Sequence, residues 1–411
     1  MMVTYIAWML IAGSVFLAVF YLNLFRHTSS QSRDSPAELS SSPDVTLIMP
    51  AYNEEGTIRE ALENALNLDY PNYRVLMVDD GSTDSTLDIA SEFAGHEKLT
   101  VLEHEENQGK SAALNTALEV TDSEYVAVQD ADSSIDEGTL EEALAKFEQN
   151  DDLGAVIASI RPLWNDNFVR KLQFVQYRLT NFYRSLMAHI DTIDVTPGAF
   201  SLYRTSDLKE VGGFDVGNLT EDLDIAWRLR RLGREIDMVY RKRSNTEYPP
   251  TLLSLYRQRV QWARGSIQNA WKHRDMFLNR EYGWFGTFQL PVHILSPLIA
   301  VVSLFLVGTG LARQAYSFLL NVSAVGLTAP AITGIELMPL LLRVQWKIYV
   351  PLAVSLVLAA YLIRTAYRKS QDPVQHPMAL AAYYLGFFVL SGFFWTAAII
   401  KELLHSSRVW T

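Results

Sequence analysis

The chain predicts an α/β domain, a mostly parallel sheet with helices on both faces, inserted between transmembrane helices. Two observations carry this expectation. Between residues 44 and 250, short apolar runs alternate with helical periods, a pattern that gives an open parallel sheet covered on both sides. On either side of that region lie nearly uncharged apolar stretches, and about 20 such residues at ~1.5 Å rise span a ~30 Å hydrocarbon core.

Residues 4–25 are almost entirely apolar, with no Lys or Arg before them and Arg26 after. A cleaved signal peptide wants a basic start and a small-residue cleavage site, so residues 1–26 read as an uncleaved anchor. Residues 27–43, rich in Ser and holding Pro36 and Pro43, read as a linker. In the central domain, 44–250, the apolar runs 45–49, 74–78, 99–102, 125–128 and 155–160 read as strands. The periods 57–66, 85–94, 111–120 and 139–148 read as helices between them. Residues 251–286 read as amphipathic helices at a membrane interface, with Trp262 and Trp271 among Arg257, Arg259 and Arg264. Residues 287–411 read as a membrane region with about three spans, near 288–311, 349–362 and 378–400. Glu336, Arg343 and Lys347 place a loop or interfacial helix between the first two of these.

Arg26, Arg33, Arg274, Arg280, Arg364, Arg368 and Lys369 fall on one side if the central domain is cytoplasmic. Arg313, Arg343, Lys401 and Arg408 then fall on the other. The expectation is a multi-pass cell-membrane protein. The absence of cysteine excludes disulfides, thiolate nucleophiles and Cys-ligated zinc. A net charge of −11 argues against a nucleic-acid partner.

In open sheets of this kind, ligands bind beyond the carboxyl ends of the strands, and Asp79, Asp80, Asp130 and Asp132 all stand there. Asp79 and Asp80 suit a uracil N–H or ribose hydroxyls, and Asp84 suits the cap of the helix that follows. Pro50, Tyr52 and Glu54, at the end of the first strand, offer backbone groups and an aromatic face to the same base. Asp130-Ala131-Asp132 puts two carboxylates on one face, where a hard divalent ion can be shared with diphosphate oxygens. Lys110, at a helix start, suits a diphosphate. Glu221-Asp222 opens a helix, and either Asp222 or Asp224 fits by type as the base for an acceptor hydroxyl. Trp262 suits stacking on a sugar ring. The histidines His189, His273 and His293 are scattered and take no ligand role.

Together these motifs resemble glycosyltransferase family 2, in particular its membrane-integrated synthases of hyaluronan, chitin oligosaccharide, poly-N-acetylglucosamine and cellulose. The resemblance implies a GT-A fold and an inverting β-transfer of sugar, N-acetylglucosamine foremost, from a UDP-sugar to a growing saccharide. It implies Asp79 and Asp80 on the uridine, Lys110 near the diphosphate, Asp130 near the ribose, and Asp132 on Mn2+ or Mg2+. It further implies Asp222, with Glu221 beside it, as general base, and Pro197-Gly198 as an acceptor-side turn. Gln258, Arg259 and Trp262 fall in the family's Gln-x-x-Arg-Trp acceptor motif. One position departs: Gln261 stands where the family has Arg, and a neutral amide does not match a guanidinium beside a diphosphate. Arg259 and Arg264 are the candidates to supply that charge. The departure keeps a second expectation open, a single sugar added to a polyprenyl-phosphate or other lipid acceptor.

Overall fold

The computed structural model describes residues 2–28, 39–325, 346–370 and 376–404. Most of the expected linker, together with Arg33, Glu336, Arg343 and Arg408, lies outside the described residues.

Helix α1 (Met2–Thr28) leads to β1 (Val45–Ala51), α2 (Ile58–Leu66), β2 (Tyr73–Asp79), α3 (Thr86–Ser91), β3 (Leu99–Glu103), α4 (Lys110–Glu119) and β4 (Tyr125–Val128). These follow the sequence reading closely. Next come β5 (Ser133–Ile135), α5 (Thr139–Gln149), β6 (Leu153–Pro162), α6 (Phe168–His189), β7 (Ser201–Arg204), α7 (Thr205–Glu210), α8 (Glu221–Arg231) and β8 (Glu235–Thr246). The sequence reading placed nothing at β5, α6, α7 or β8. In β8 the charged triplet Arg241-Lys242-Arg243 masks the alternation, and the pairing with β6 jumps there in register. In α6 an apolar face (Leu172, Val175, Leu179, Phe182, Leu186) is crowded by basic and aromatic neighbours.

The sheet runs β3-β2-β1-β4-β7-β6-β8-β5. Its first four strands are parallel, β6 pairs parallel with β8, and β7 and β5 run against their neighbours. β1 is buried along its whole length. Alternate residues serve two cores: Leu47 and Met49 pack with Leu62 and Phe147, while Ile48 packs with Leu114 and Trp227. Helices thus cover both faces, and the strand ends that carry Asp79 and Asp130 open onto one edge.

Helix α9 (Leu252–Lys272) begins with a capping box between Thr251 and Ser254. A five-residue π-helical turn, Phe285–Gln289, leads into α10 (Leu290–Val325). That helix continues well past the expected end of its span and carries Arg313. Then follow α11 (Trp346–Lys369), α12 (Pro377–Ala382), a second π turn at Tyr383–Phe387, and α13 (Phe388–Leu403). Among the described residues, four helical runs are long and apolar enough to cross a membrane.

The fourth of these runs lies differently from the expectation. His376, at its start, meets the Phe174 ring of α6 at 5.6 Å. Near its end Glu402 accepts from Arg264 Nε of α9 at 2.5 Å, and Lys401 sits 5.9 Å over the Tyr256 ring. Both ends of the run therefore touch the face formed by α6 and α9. Lys401 and Glu402 stand beside α9, contacts between segments 138 residues apart that the sequence reading did not foresee.

Candidate active site

Two cavities meet at the strand ends. The smaller, about 360 Å³, is lined by Pro50, Tyr52, Glu54, Asp80, Asn107, Gly109, Lys110, Asp130 and Asp132 among others. The larger, about 480 Å³, shares Lys110, Asp130 and Asp132 and runs on past Pro197, Gly198, Glu221, Asp222, Gln258, Arg259 and Trp262 to α13. Nearly every expected site residue therefore borders one continuous space. Asp79 is the exception. It is buried, takes the Ser82 N–H at 3.0 Å to hold the turn, and borders neither cavity.

The smaller cavity is built from loops sewn together. Asn53, in the left-handed region at φ 56°, accepts from the Thr83 N–H at 2.8 Å and donates its own N–H to Ser82 Oγ at 3.0 Å. Asp84 accepts from Thr86 N at 3.0 Å, the first residue of α3, and from Glu55 N at 3.1 Å. It thereby ties the two loops together; the N-cap position of α3 is Ser85, so Asp84 stands one residue before the cap it was expected to be. Asp80 is heavily engaged, accepting from Gln108 N at 3.0 Å and Gly109 N at 2.7 Å, with His104 Nδ1 2.7 Å away. A carboxylate has about four acceptor positions, so one remains for a ligand. His104 also meets Thr116 Oγ1 at 2.9 Å, which pins Asp80 to α4. The sequence reading passed over His104; its place one residue beyond β3 was the signal.

At the junction Lys110 Nζ lies 2.5 Å from Asp130 and 3.2 Å from Glu221. Burial alone lowers a lysine, but these two carboxylates outweigh it and hold Lys110 well above its ordinary value. Gly198 makes this pair sterically feasible: a Cβ there would stand 2.4 Å from Lys110 Nζ and 2.6 Å from Asp130 Oδ1. Gly198→Ala is accordingly expected to disrupt the Lys110–Asp130 contact and lower donor affinity about tenfold while the fold persists. Calorimetric titration with the nucleotide sugar, beside a circular dichroism melt, checks this.

Asp132 accepts from Ser133 Oγ at 2.9 Å and Thr246 Oγ1 at 3.1 Å, both through Oδ1. Burial and then the nearby Asp130 push it up to about 6, and burial pushes Glu54 up to about 7, with Asp132 and Asp130 adding to it. Carboxylates raised in this way form a site short of positive charge. No group of three or more acidic or His ligands occurs among the described residues. A hard divalent cation at Asp132 would need a ligand's own oxygens to complete its shell.

The structure separates Asp222 from Asp224. Asp224 is wholly buried and held by Arg228 Nε at 2.7 Å, Lys272 Nζ at 2.7 Å and His273 Nε2 at 2.8 Å. Burial would raise it, but these bonds prevail and bring it down to about 2. Asp222 borders the larger cavity, its backbone O accepting from Thr196 N and Oγ1. Burial, then Glu221, pushes it up to about 7, the value that suits a base near neutral pH.

α9 is fastened to this segment. A Cβ at Gly265 would lie 2.3 Å from Thr220 Oγ1, and Asn269 Nδ2 donates to Thr220 O at 3.2 Å and Oγ1 at 3.0 Å. The result is a helix seated directly on the residue that caps α8. Trp262 is 39% exposed and faces the larger cavity, with the Arg259 guanidinium 4.2 Å over its ring. Of the two arginines considered beside Gln261, Arg259 borders the cavity, while Arg264 is engaged by Glu402. Tyr177 and Tyr248, with centroids 4.4 Å apart, and Phe394 and Trp395 of α13 add aromatic wall that sequence reading did not foresee. His293 is not isolated. It meets Asp194 Oδ2 at 3.1 Å and Ser266 Oγ at 2.5 Å, joining α10 to α9.

Residues 46–212 match the family model described as Glycosyl transferase family 2. The chain is 32% identical over 255 residues to a poly-beta-1,6-N-acetyl-D-glucosamine synthase of Staphylococcus epidermidis, covering 61% of this chain and 60% of that protein. It is 26% identical over 292 residues to the synthase of the same description from Staphylococcus aureus, covering 68% of each. The chain thus spans about 60% of the length of the first of these relatives. A mannosyltransferase from Pyrobaculum calidifontis, solved with GDP-Man and Mn2+, superposes with a TM-score of 0.64 at 21% identity, covering 98% of this chain and all of that one. The likeness to it is one of fold.

Proposed function

We propose that this chain, whose residues 46–212 match the glycosyltransferase family 2 model, is an inverting β-glycosyltransferase that extends a saccharide from a UDP-sugar, N-acetylglucosamine being the sugar. One observation carries this reading: the strand-end cavity and the aromatic cavity meet at Lys110, Asp130 and Asp132. A donor bound in the first presents its anomeric carbon to an acceptor held in the second. The name of the Staphylococcus synthases supports N-acetylglucosamine. The protein is read as multi-pass, with the domain on the cytoplasmic face.

In this mechanism Asp80 and the Tyr52 loop hold the uridine, and Lys110 exchanges Asp130 for the diphosphate. Trp262 and the tyrosine pair hold the acceptor sugar by stacking. Asp222 takes the proton of the acceptor hydroxyl as its oxygen bonds to the anomeric carbon; the bond to the diphosphate breaks and its electron pair leaves with UDP. One displacement inverts the centre. The chemistry that a bound Mn2+ or Mg2+ supplies at Asp132 is neutralisation of the leaving diphosphate. Arg259 adds positive charge in the cavity where Gln261 is neutral.

Product size tests the proposal. Purified protein in lipid, given labelled UDP-N-acetylglucosamine and manganese, is expected to yield a ladder or polymer. Label confined to a single sugar on a lipid carrier would favour the second reading, to which Gln261 at the cavity wall lends support. Trp262→Ala is expected to raise the acceptor KM about tenfold, since stacking of this kind is worth roughly 1 kcal/mol or more. Donor hydrolysis without acceptor is expected to change little; equal losses in both assays would contradict an acceptor role.

A further inference from the structure

The wall of the larger cavity holds a second polar group that the transfer chemistry above leaves without a use. Asp194, Ser266 and His293 all border that cavity. They come from the loop after α6, from α9 and from the first turn of α10. His293 Nδ1 lies 3.1 Å from Asp194 Oδ2, and its Nε2 lies 2.5 Å from Ser266 Oγ. The ring is also held in place by packing, edge to face with Trp227 at a centroid separation of 5.4 Å. Trp227 Nε1 donates to the Asp194 backbone carbonyl at 3.0 Å, and Gln289 Nε2 donates to Asp194 Oδ2 at 3.1 Å. His293 sits within a run apolar enough to cross a membrane, where an ionisable side chain is unfavourable unless it has a partner and a role.

The carboxylate sets the direction of each hydrogen bond. Burial alone would raise Asp194, but the bond to His293, with Gln289 and Arg184 behind it, holds it below its ordinary value. An ionised carboxylate only accepts, so the imidazole proton stands on Nδ1. Nε2 of the neutral ring is then an acceptor, and the single proton of the Ser266 hydroxyl goes to it. Ser266 Oγ is left with its lone pairs for the cavity, where it accepts and does not donate. The same three residue types make a hydrolytic triad elsewhere. Here Ser266 lies inside α9, whose backbone N–H groups are engaged in helical bonds, so none beside it is placed to stabilise an oxyanion.

On the reading of the larger cavity as the saccharide site, we propose that Ser266 reads a hydrogen-bond donor, a hydroxyl or amide N–H, on the saccharide that receives the sugar. His293 and Asp194 are its positioning residues. Trp262 and Ser266 stand four residues apart on α9, neighbours on one helical face with Cβ atoms about 5–6 Å apart, and both border the cavity. A sugar ring stacked on Trp262 carries its polar groups around its rim, and Ser266 meets that rim from the same side. The group is also tied to the base. Thr196, two residues past Asp194, donates to the Asp222 carbonyl through its N–H at 3.2 Å and its hydroxyl at 2.9 Å. A saccharide engaged at Ser266 is thereby held in register with Asp222. Stacking tolerates any ring, whereas a fixed acceptor oxygen disfavours a ring that leaves it unpaired.

The test uses the full chain in nanodiscs, without nucleotide sugar, and methyl N-acetyl-β-glucosaminide as the probe. Saturation-transfer NMR reads its affinity. A set of analogues each lacks one donor: the 3-, 4- and 6-deoxyfluoro sugars, and the 2-O-acetyl ester in place of the amide. One analogue is expected to bind about fivefold more weakly than the parent, and Ser266→Ala is expected to bind the two equally. Asp194→Asn is expected to weaken the parent probe as Ser266→Ala does. In transfer assays it is expected to raise the saccharide KM about fivefold with kcat within a few-fold; a merely structural role would lower kcat and Tm together. Ser266→Ala puts a good helix former into α9 and gives the reading should Asp194→Asn fail to fold. Trp262→Ala separates this proposal from the one beneath it. If Trp262→Ala weakens the probe and Ser266→Ala does not, the role of Ser266 is overturned and the saccharide site stands; if neither does, both fall. Analogues that distinguish Ser266→Ala from the wild-type protein in no case would overturn it, as would covalent labelling of Ser266 by a fluorophosphonate, which would make it a nucleophile.

Discussion

Asp222→Asn is expected to lower transfer by about 10²–10⁴-fold, the contribution of a positioned general base, while UDP-sugar affinity stays within a few-fold. The substitution keeps shape and hydrogen bonding but cannot take a proton. Because Asp222 borders the larger cavity and not the smaller one, where the nucleotide is proposed to sit, ground-state nucleotide binding has little to lose. Initial-rate kinetics and calorimetric nucleotide titration on one preparation separate the two effects. A matching loss of nucleotide affinity would mean that Asp222 serves the donor.

The same residue sets a pH dependence. Burial and then Glu221 push the Asp222 carboxyl up to about 7, and only its deprotonated form accepts a proton. Turnover is therefore expected to fall about tenfold per unit as pH drops below 7, and to level off above it. Glu221→Gln removes the second cause and is expected to shift that acidic limb to lower pH. A limb that stays in place would exclude Asp222 as the titrating base.

Asp132→Asn is expected to cost about 10²-fold or more in turnover and to abolish the response to added Mn2+ or Mg2+. In the wild-type protein, chelation is expected to stop transfer and manganese to restore it. The physical basis is the pressure on Asp132, raised to about 6 by burial and Asp130, which a divalent cation relieves. Manganese binding followed by electron paramagnetic resonance gives a readout independent of product. Metal-dependent turnover that survives unchanged in the variant would remove Asp132 from the metal site.

The strands that carry the site were legible because their cues are local. Buried runs such as Val45–Ala51, followed by turn residues and helical periods, need only neighbouring residues to be read. Elements with mixed signals escaped: β8 is interrupted by three consecutive basic residues, and α6 mixes charge into its apolar face. Those two elements carry Thr246, Tyr248's neighbourhood and Tyr177, so the tyrosine pair of the larger cavity escaped with them, while Trp262 beside it was foreseen. Asp79 and Asp80 read alike as adjacent carboxylates, yet one turns inward to Ser82 and the other to the groove. Side chains alternate along a strand, and only packing shows which direction meets the ligand.

By itself the sequence determined the α/β class, the order of the strands up to β4, the carboxylates at the strand ends and the apolar helices around them. Each of these is set by residue type and short-range spacing. The tertiary structure decided what depends on distant partners. Lys272 and His273 claim Asp224 and leave Asp222 to the cavity; Glu402 claims Arg264 and leaves Arg259 beside Trp262. It also brought α13 back against α9. Chemically equivalent side chains are distinguished by which of them is neutralised on folding, and the neutralising groups lie 48, 49 and 138 residues away.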